Sequence, residues 1–96
     1  MATSYECGET AVLDLEVYNR ANGVLEDPAT YIRATIWNSI GSKVVDAQNM
    51  VRDGIGKYHY DYLVPAAGPL GTWQVLFEVA DGARVTKQRD SFDVHT

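Results

Sequence analysis

Residues 56–82 read GKYHYDYLVPAAGPLGTWQVLFEVADG. Tyr58, Tyr60 and Tyr62 occupy every second position, with His59 and Asp61 between them. Successive side chains of a β-strand point to opposite faces, so this comb predicts a strand over 57–64 with an aromatic face and a polar face. The segment PAAGPLG, 65–71, carries two prolines and two glycines and cannot continue a strand. Alternation resumes over 72–80 and puts Trp73, Val75, Phe77 and Val79 on one side. Asp81-Gly82 then supplies a two-residue loop suited to a type I′ hairpin. Residues 83–94 return antiparallel, with Phe92 and Val94 facing inward. The tyrosine comb is therefore expected in the core, rings buried and hydroxyls at the rim.

The period of two extends to the rest of the chain. Over 10–18, Ala11, Leu13, Leu15 and Val17 share one face, while Asp14, Glu16 and Tyr18 share the other. Residues 19–29 hold Asn22-Gly23 and Asp27-Pro28, both turn signals. Over 30–38, Ile32, Ala34 and Ile36 face the core, which leaves Tyr31, Arg33, Thr35 and Trp37 outside. Residues 43–47 read as a short strand. Only 44–53, VVDAQNMVRD, is also readable as a short helix, and Val44-Val45 draw it toward strand. About seven short strands at ~8–12-residue spacing predict an all-β, antiparallel two-sheet sandwich. With 96 residues, the chain is expected to form one domain, 1–96, with one core.

Gly56-x-Tyr58, Pro65, Gly71-x-Trp73-x-Val75, Asp81-Gly82 and Phe92-x-Val94 together resemble the C-terminal half of immunoglobulin-like sandwich domains. The resemblance is to the macroglobulin-like and bacterial Ig-like modules. The opening GETAVLDLEVYNRANGVLEDP, 8–28, is similar to the start of the same domains. The Cys…Trp…Cys pin of antibody domains is missing, because Cys7 is the single cysteine. The resemblance spans the whole chain through turn and core positions. It implies a non-enzymatic module used for spacing, adhesion or assembly.

Composition narrows the partners. The net charge of -5 weighs against nucleic acid, which needs a surplus of Lys and Arg on one face. The trio Arg84, Lys87 and Arg89 reads as a solvated strand face. No apolar run approaches the ~20 residues of a membrane helix, so membrane insertion is not expected. The N-terminal MATSYECGET lacks the basic and apolar regions of a signal peptide. Two origins fit: a protein made in the cytosol, such as a virion component, or a domain excised from an extracellular protein. A lone thiol cannot form an internal disulfide.

Constellations with chemistry are sparse, and no catalytic residue, cofactor or metal is expected. His59 lies on the polar face between Lys57 and Asp61, and His95 is next to last. Neither belongs to a zinc-ligand spacing. Ser39, His59 and Asp61 can be written as a triad, but a chain of this length yields such a list by chance. Oxygen ligands for calcium exist at Glu26-Asp27, Asp53, Asp81, Asp90 and Asp93 without the spacing of a calcium loop. Gly54-Ile55-Gly56 precedes a strand, where a phosphate loop precedes a helix.

The remaining candidates are aromatic. Tyr31 and Trp37 are outward by alternation, and Leu76 is an outward apolar residue on 72–80. In an Ig-like strand order their two strands are neighbours, so Tyr31, Trp37 and Leu76 are expected to form a partner-binding patch. The expected partner is protein: another copy of the chain or a larger assembly, as for a virion decoration protein or a spacer domain. The alternative is a carbohydrate- or small-ligand-binding module that uses Tyr31 and Trp37 as stacking platforms.

Overall fold

The computed structural model describes residues 3–19, 22–28 and 30–96. Eight strands follow one another along these residues, and no helix occurs among them. They are β1 (Thr3–Glu6), β2 (Thr10–Glu16), β3 (Tyr31–Trp37), β4 (Lys43–Asn49), β5 (Val51–Gly54), β6 (Lys57–Leu63), β7 (Gly71–Asp81) and β8 (Arg84–His95). One sheet has five strands in the order β1-β8-β7-β3-β4, and the other has three in the order β2-β6-β5. Every pairing is antiparallel except β1 with β8, which run parallel.

Alternation decides which side chains enter the interior. In β2 the burial is strictly alternate, with Ala11, Leu13 and Leu15 in and Val12, Asp14 and Glu16 out. In β6 the comb points inward as expected: Tyr58 is 7% exposed, while Tyr60 and Tyr62 pack against the same cluster. From the five-stranded sheet come Ile32, Ala34, Ile36, Trp73, Val75, Phe77, Phe92 and Val94. The two sets meet in one apolar cluster. Trp73 is fully buried at its centre, 5.7 Å from Phe92 and 5.9 Å from Tyr62 between ring centroids. Its indole N–H donates to the Pro69 carbonyl at 3.0 Å, so the one polar atom of the ring is satisfied.

Three local details differ from the sequence reading. The segment 44–53 is strand, the direction in which Val44-Val45 draw it, but it runs past the expected 43–47 and divides into β4 and β5 at Met50, whose N–H donates to the Ile32 carbonyl. Its misleading period comes from an extra residue in β4: Ile36 pairs with Val45, but Ala34 pairs with Gln48. Ala47 sits in this bulge at φ +46°, and its N–H is taken by Thr35 Oγ1 at 3.1 Å. Secondly, the β7–β8 loop is Gly82-Ala83, one residue later than expected, because Asp81 pairs with Arg84. Of the two loop residues only Gly82 has positive φ, at +64°, which fits a type II′ turn and not type I′. Thirdly, β1 lies in the polar opening segment where no strand was expected. It crosses to the five-stranded sheet and pairs with Phe92–His95.

Candidate functional site

The outward face of the five-stranded sheet carries the three residues singled out from the sequence. β3 presents Tyr31, Arg33, Thr35 and Trp37, and the register sets Leu76 of β7 beside Thr35. Tyr31 and Trp37 are half-buried, at opposite ends of β3 and roughly 20 Å apart at strand spacing. Each has a cation beside it. The Arg33 guanidinium lies 3.9 Å from the Tyr31 ring centroid, and Lys43 Nζ lies 5.9 Å from that of Trp37. Both distances are within the range where a ring's negative face attracts a cation. Arg33 is also oriented by Asn49 Oδ1, and Lys43 is paired with Asp46 at 3.5 Å.

Leu76 faces outward as expected but is only 8% exposed. It occupies a central strand between Thr35 of β3 and Arg89 of β8. Thr35 is itself buried at 5%, held by the β4 bulge. Leu76 therefore belongs to a small outer core and offers no free contact surface. The aromatic surface of this face consists of two separate positions, Tyr31 and Trp37, joined by the Arg33–Thr35 strip.

His59 projects from the three-stranded sheet. Its Nδ1 lies 2.6 Å from Asp53 Oδ1 and its Nε2 lies 3.8 Å from Asp61 Oδ2. The bond to Asp53 chiefly raises its pKa above the usual histidine value, and the charges of Asp53, Asp61 and Asp14 add to this. The hydroxyl of Ser39 donates to the Leu70 carbonyl at 2.7 Å, while the ring of His59 is engaged by Asp53. Ser39, His59 and Asp61 thus do not form a relay. Among the described residues, no group of three or more His, Cys, Asp or Glu side chains converges as a metal site.

Asp27 marks the most tightly organised polar cluster, and the sequence reading gave it no such role. Its carboxylate accepts from Arg52 Nε at 3.1 Å, from Gly56 N–H at 2.9 Å and from the Tyr58 hydroxyl at 2.7 Å. A second guanidinium contact, Arg52 Nη2 to Oδ2, measures 3.0 Å. The bond to Arg52 first, then those to Gly56 and Tyr58, hold the carboxyl at about 2. This cluster ties the β2–β3 connection to β5 and β6. It also uses the Gly56 N–H, so Gly54-Ile55-Gly56 serves an internal anion. A local signal for it was the comb itself: Tyr58 brings its hydroxyl to the rim, where an acceptor is required.

No family model matches the chain. Neither does any curated protein or any solved structure.

Proposed function

We propose that the chain is a non-catalytic interaction module with an immunoglobulin-like sandwich fold. It docks on protein, a further copy or a larger assembly, through the outward face of β3. Support for the fold comes from strand order. Lettered as in Ig-like domains, β2-β6-β5 corresponds to B-E-D and β1-β8-β7-β3-β4 to A′-G-F-C-C′. Support for the docking face comes from one observation: half-exposed Tyr31 and Trp37 share a sheet face, each beside a cation. Tyr, Trp and Arg are the residue types enriched where proteins meet, because they combine a large apolar area with hydrogen-bonding ends. Two settings fit such a module: a virion decoration protein, or a spacer and adhesion domain of a surface protein.

Carbohydrate stacking is the weaker reading of the same residues. A sugar needs an open ring face, and Arg33 already covers Tyr31 at 3.9 Å. The test is size-exclusion chromatography with light scattering over a concentration series. Mass should rise with concentration for the wild type and stay monomeric for Trp37→Ala at an unchanged melting temperature. A wild-type monomer at every concentration removes self-assembly. Retained self-association in both Trp37→Ala and Tyr31→Ala removes this face from the interface.

A further inference from the structure

A second surface lies on the opposite side of the five-stranded sheet from β4. β8 is twelve residues long, but β1 covers only its last part, Phe92–His95. Among the described residues, no strand pairs with Arg84–Ser91 on that side. The backbone direction there follows from one bond. Cys7 N–H donates to the His95 carbonyl at 2.9 Å, so odd-numbered residues of β8 turn their backbone groups toward β1. By alternation Val85, Lys87 and Arg89 turn theirs to the open side. Ser91 does the same, and its N–H is already capped by Asp90 Oδ1 at 2.8 Å.

The interior beside this edge is also open. Three cavities follow one another beside β8: those of about 180 and 230 Å³ lie against the edge strand β2, and that of about 460 Å³ lies beyond its end, against residues 17–19 and 26–28. Their apolar lining includes Leu13, Leu15 and Val17 on one side and Val75, Phe77 and Val79 on the other, while the largest is otherwise mostly polar, with Asn19, Glu26, Asp27, Asp81 and Arg84. The inner face of β8 changes character where β1 stops. Phe92 and Val94 are buried, whereas Thr86, Gln88 and Asp90, in the same row, are polar and exposed. Near β1 the gap is closed from within. Tyr5 packs edge-on against Phe92, and its hydroxyl bonds both the carbonyl and the N–H of Val12 on the free edge of β2.

The geometry points to a strand-addition site: an extended segment of a partner protein pairs with β8 along Arg84–Ser91, end to end with β1, and lies over the gap to β2. Its backbone groups would complete those of Val85, Lys87 and Arg89. Its side chains would alternate. Those turned inward lie over Val17 and Val79, the partly exposed apolar side chains of the gap, and are apolar. Those turned outward stand beside Lys87 and Arg89, and opposite charges across a strand pair are favourable, so they are acidic. The same two cations disfavour a second β8 as the occupant, since like charges would be brought together. This site is separate from Tyr31 and Trp37, so it stands or falls independently of that face.

The probe is an acetylated eight-residue peptide alternating valine and glutamate, added to the intact chain and followed by amide resonances and hydrogen exchange. Two controls accompany it: a valine–lysine peptide, and the valine–glutamate peptide with alternate amides methylated. Exchange at Val85, Lys87 and Arg89 should slow by at least about tenfold with the acidic peptide. The lysine peptide should bind at least about tenfold more weakly, and the methylated peptide should not protect these amides. The double variant Lys87→Glu, Arg89→Glu should reverse the charge preference, and Trp37→Ala should leave binding unchanged. The proposal is overturned by no protection on β8 at saturating peptide, by protection at Asp14 and Glu16 of β2 instead, or by equal binding of the two charge types. It is also overturned if these amides become protected with rising protein concentration alone, which would make a second copy the occupant.

Discussion

The Tyr58 hydroxyl donates to Asp27 Oδ1 at 2.7 Å, and the Gly56 N–H meets the same oxygen at 2.9 Å. One carboxylate oxygen thus joins the rim of the tyrosine comb to the turn that precedes it. Asp27→Asn keeps the shape and removes the charge that Arg52 and Tyr58 use. The folded carboxyl titrates at about 2, below the usual value of 3.8. Its stabilising contribution is therefore complete above pH ~4 and is lost as pH falls toward 2. Melting curves should show Asp27→Asn below wild type at pH 6, with the two converging near pH 2. A gap that persists at pH 2 would mean the charge is not responsible.

His59 and Asp53 form the opposite case. The folded histidine titrates above its usual 6.5, chiefly through Asp53. This contribution is present in full below pH ~6.5 and is lost as pH rises through the folded value. Resonances of the His59 ring should titrate above 6.5 in the wild type, and Asp53→Asn should lower the midpoint. An unchanged midpoint in Asp53→Asn would assign the shift to Asp61 and Asp14.

The two tryptophans should separate cleanly. Trp73 is fully buried in the cluster, and Trp37 is half-buried at a strand end. Trp73→Ala is expected to cost about 3–5 kcal/mol, enough to threaten folding. Trp37→Ala, at the surface, is expected to cost less than about 1 kcal/mol. Chemical denaturation measures both, and acrylamide should quench the Trp37 emission alone. Comparable costs would make Trp37 a core residue.

Gly56 and Gly82 both have positive φ, yet they should differ on substitution. A methyl group at Gly56 would lie 2.7 Å from the Val17 carbonyl oxygen and 2.8 Å from the Glu26 nitrogen. Around Gly82 there is open space within 4 Å. Gly82→Ala is expected to cost about 1–2 kcal/mol for the left-handed backbone alone. Gly56→Ala should cost that plus about 1–3 kcal/mol for the clash. Equal melting temperatures for the two variants would contradict the packing described.

The sheets were legible wherever one residue in two is apolar. β2, β3, β6 and β7 have continuous alternation, and it gives their inward rows; burial is strictly alternate only in β2, because Thr35, Leu76 and Ala80 are buried on the other face of β3 and β7. β1 was not legible, since Thr3–Glu6 has one apolar side chain, Tyr5, and takes its place through pairing with β8. β4 and β5 were blurred by the Ala47 bulge, which shifts the pattern by one residue. Of the aromatic patch, the facing of Tyr31, Trp37 and Leu76 could be read from alternation. The burial of Leu76 could not, because it depends on lateral neighbours in strands far away in sequence. The Asp27 cluster was hidden for a similar reason: its partners lie 25 to 31 residues away.

The parallel contact of β1 with β8 has a mechanical consequence. Tension between the two ends of this chain would draw β1 and β8 in opposite senses along their common axis. The bonds between Thr3–Glu6 and Phe92–His95 would then be strained together in shear, and not opened singly as in peeling. In single-molecule stretching, Tyr5→Pro, which deletes one of these donors together with the hydroxyl bridge to Val12, should lower the rupture force. Four residues at the rim of the sheet would then govern the load that the whole fold withstands.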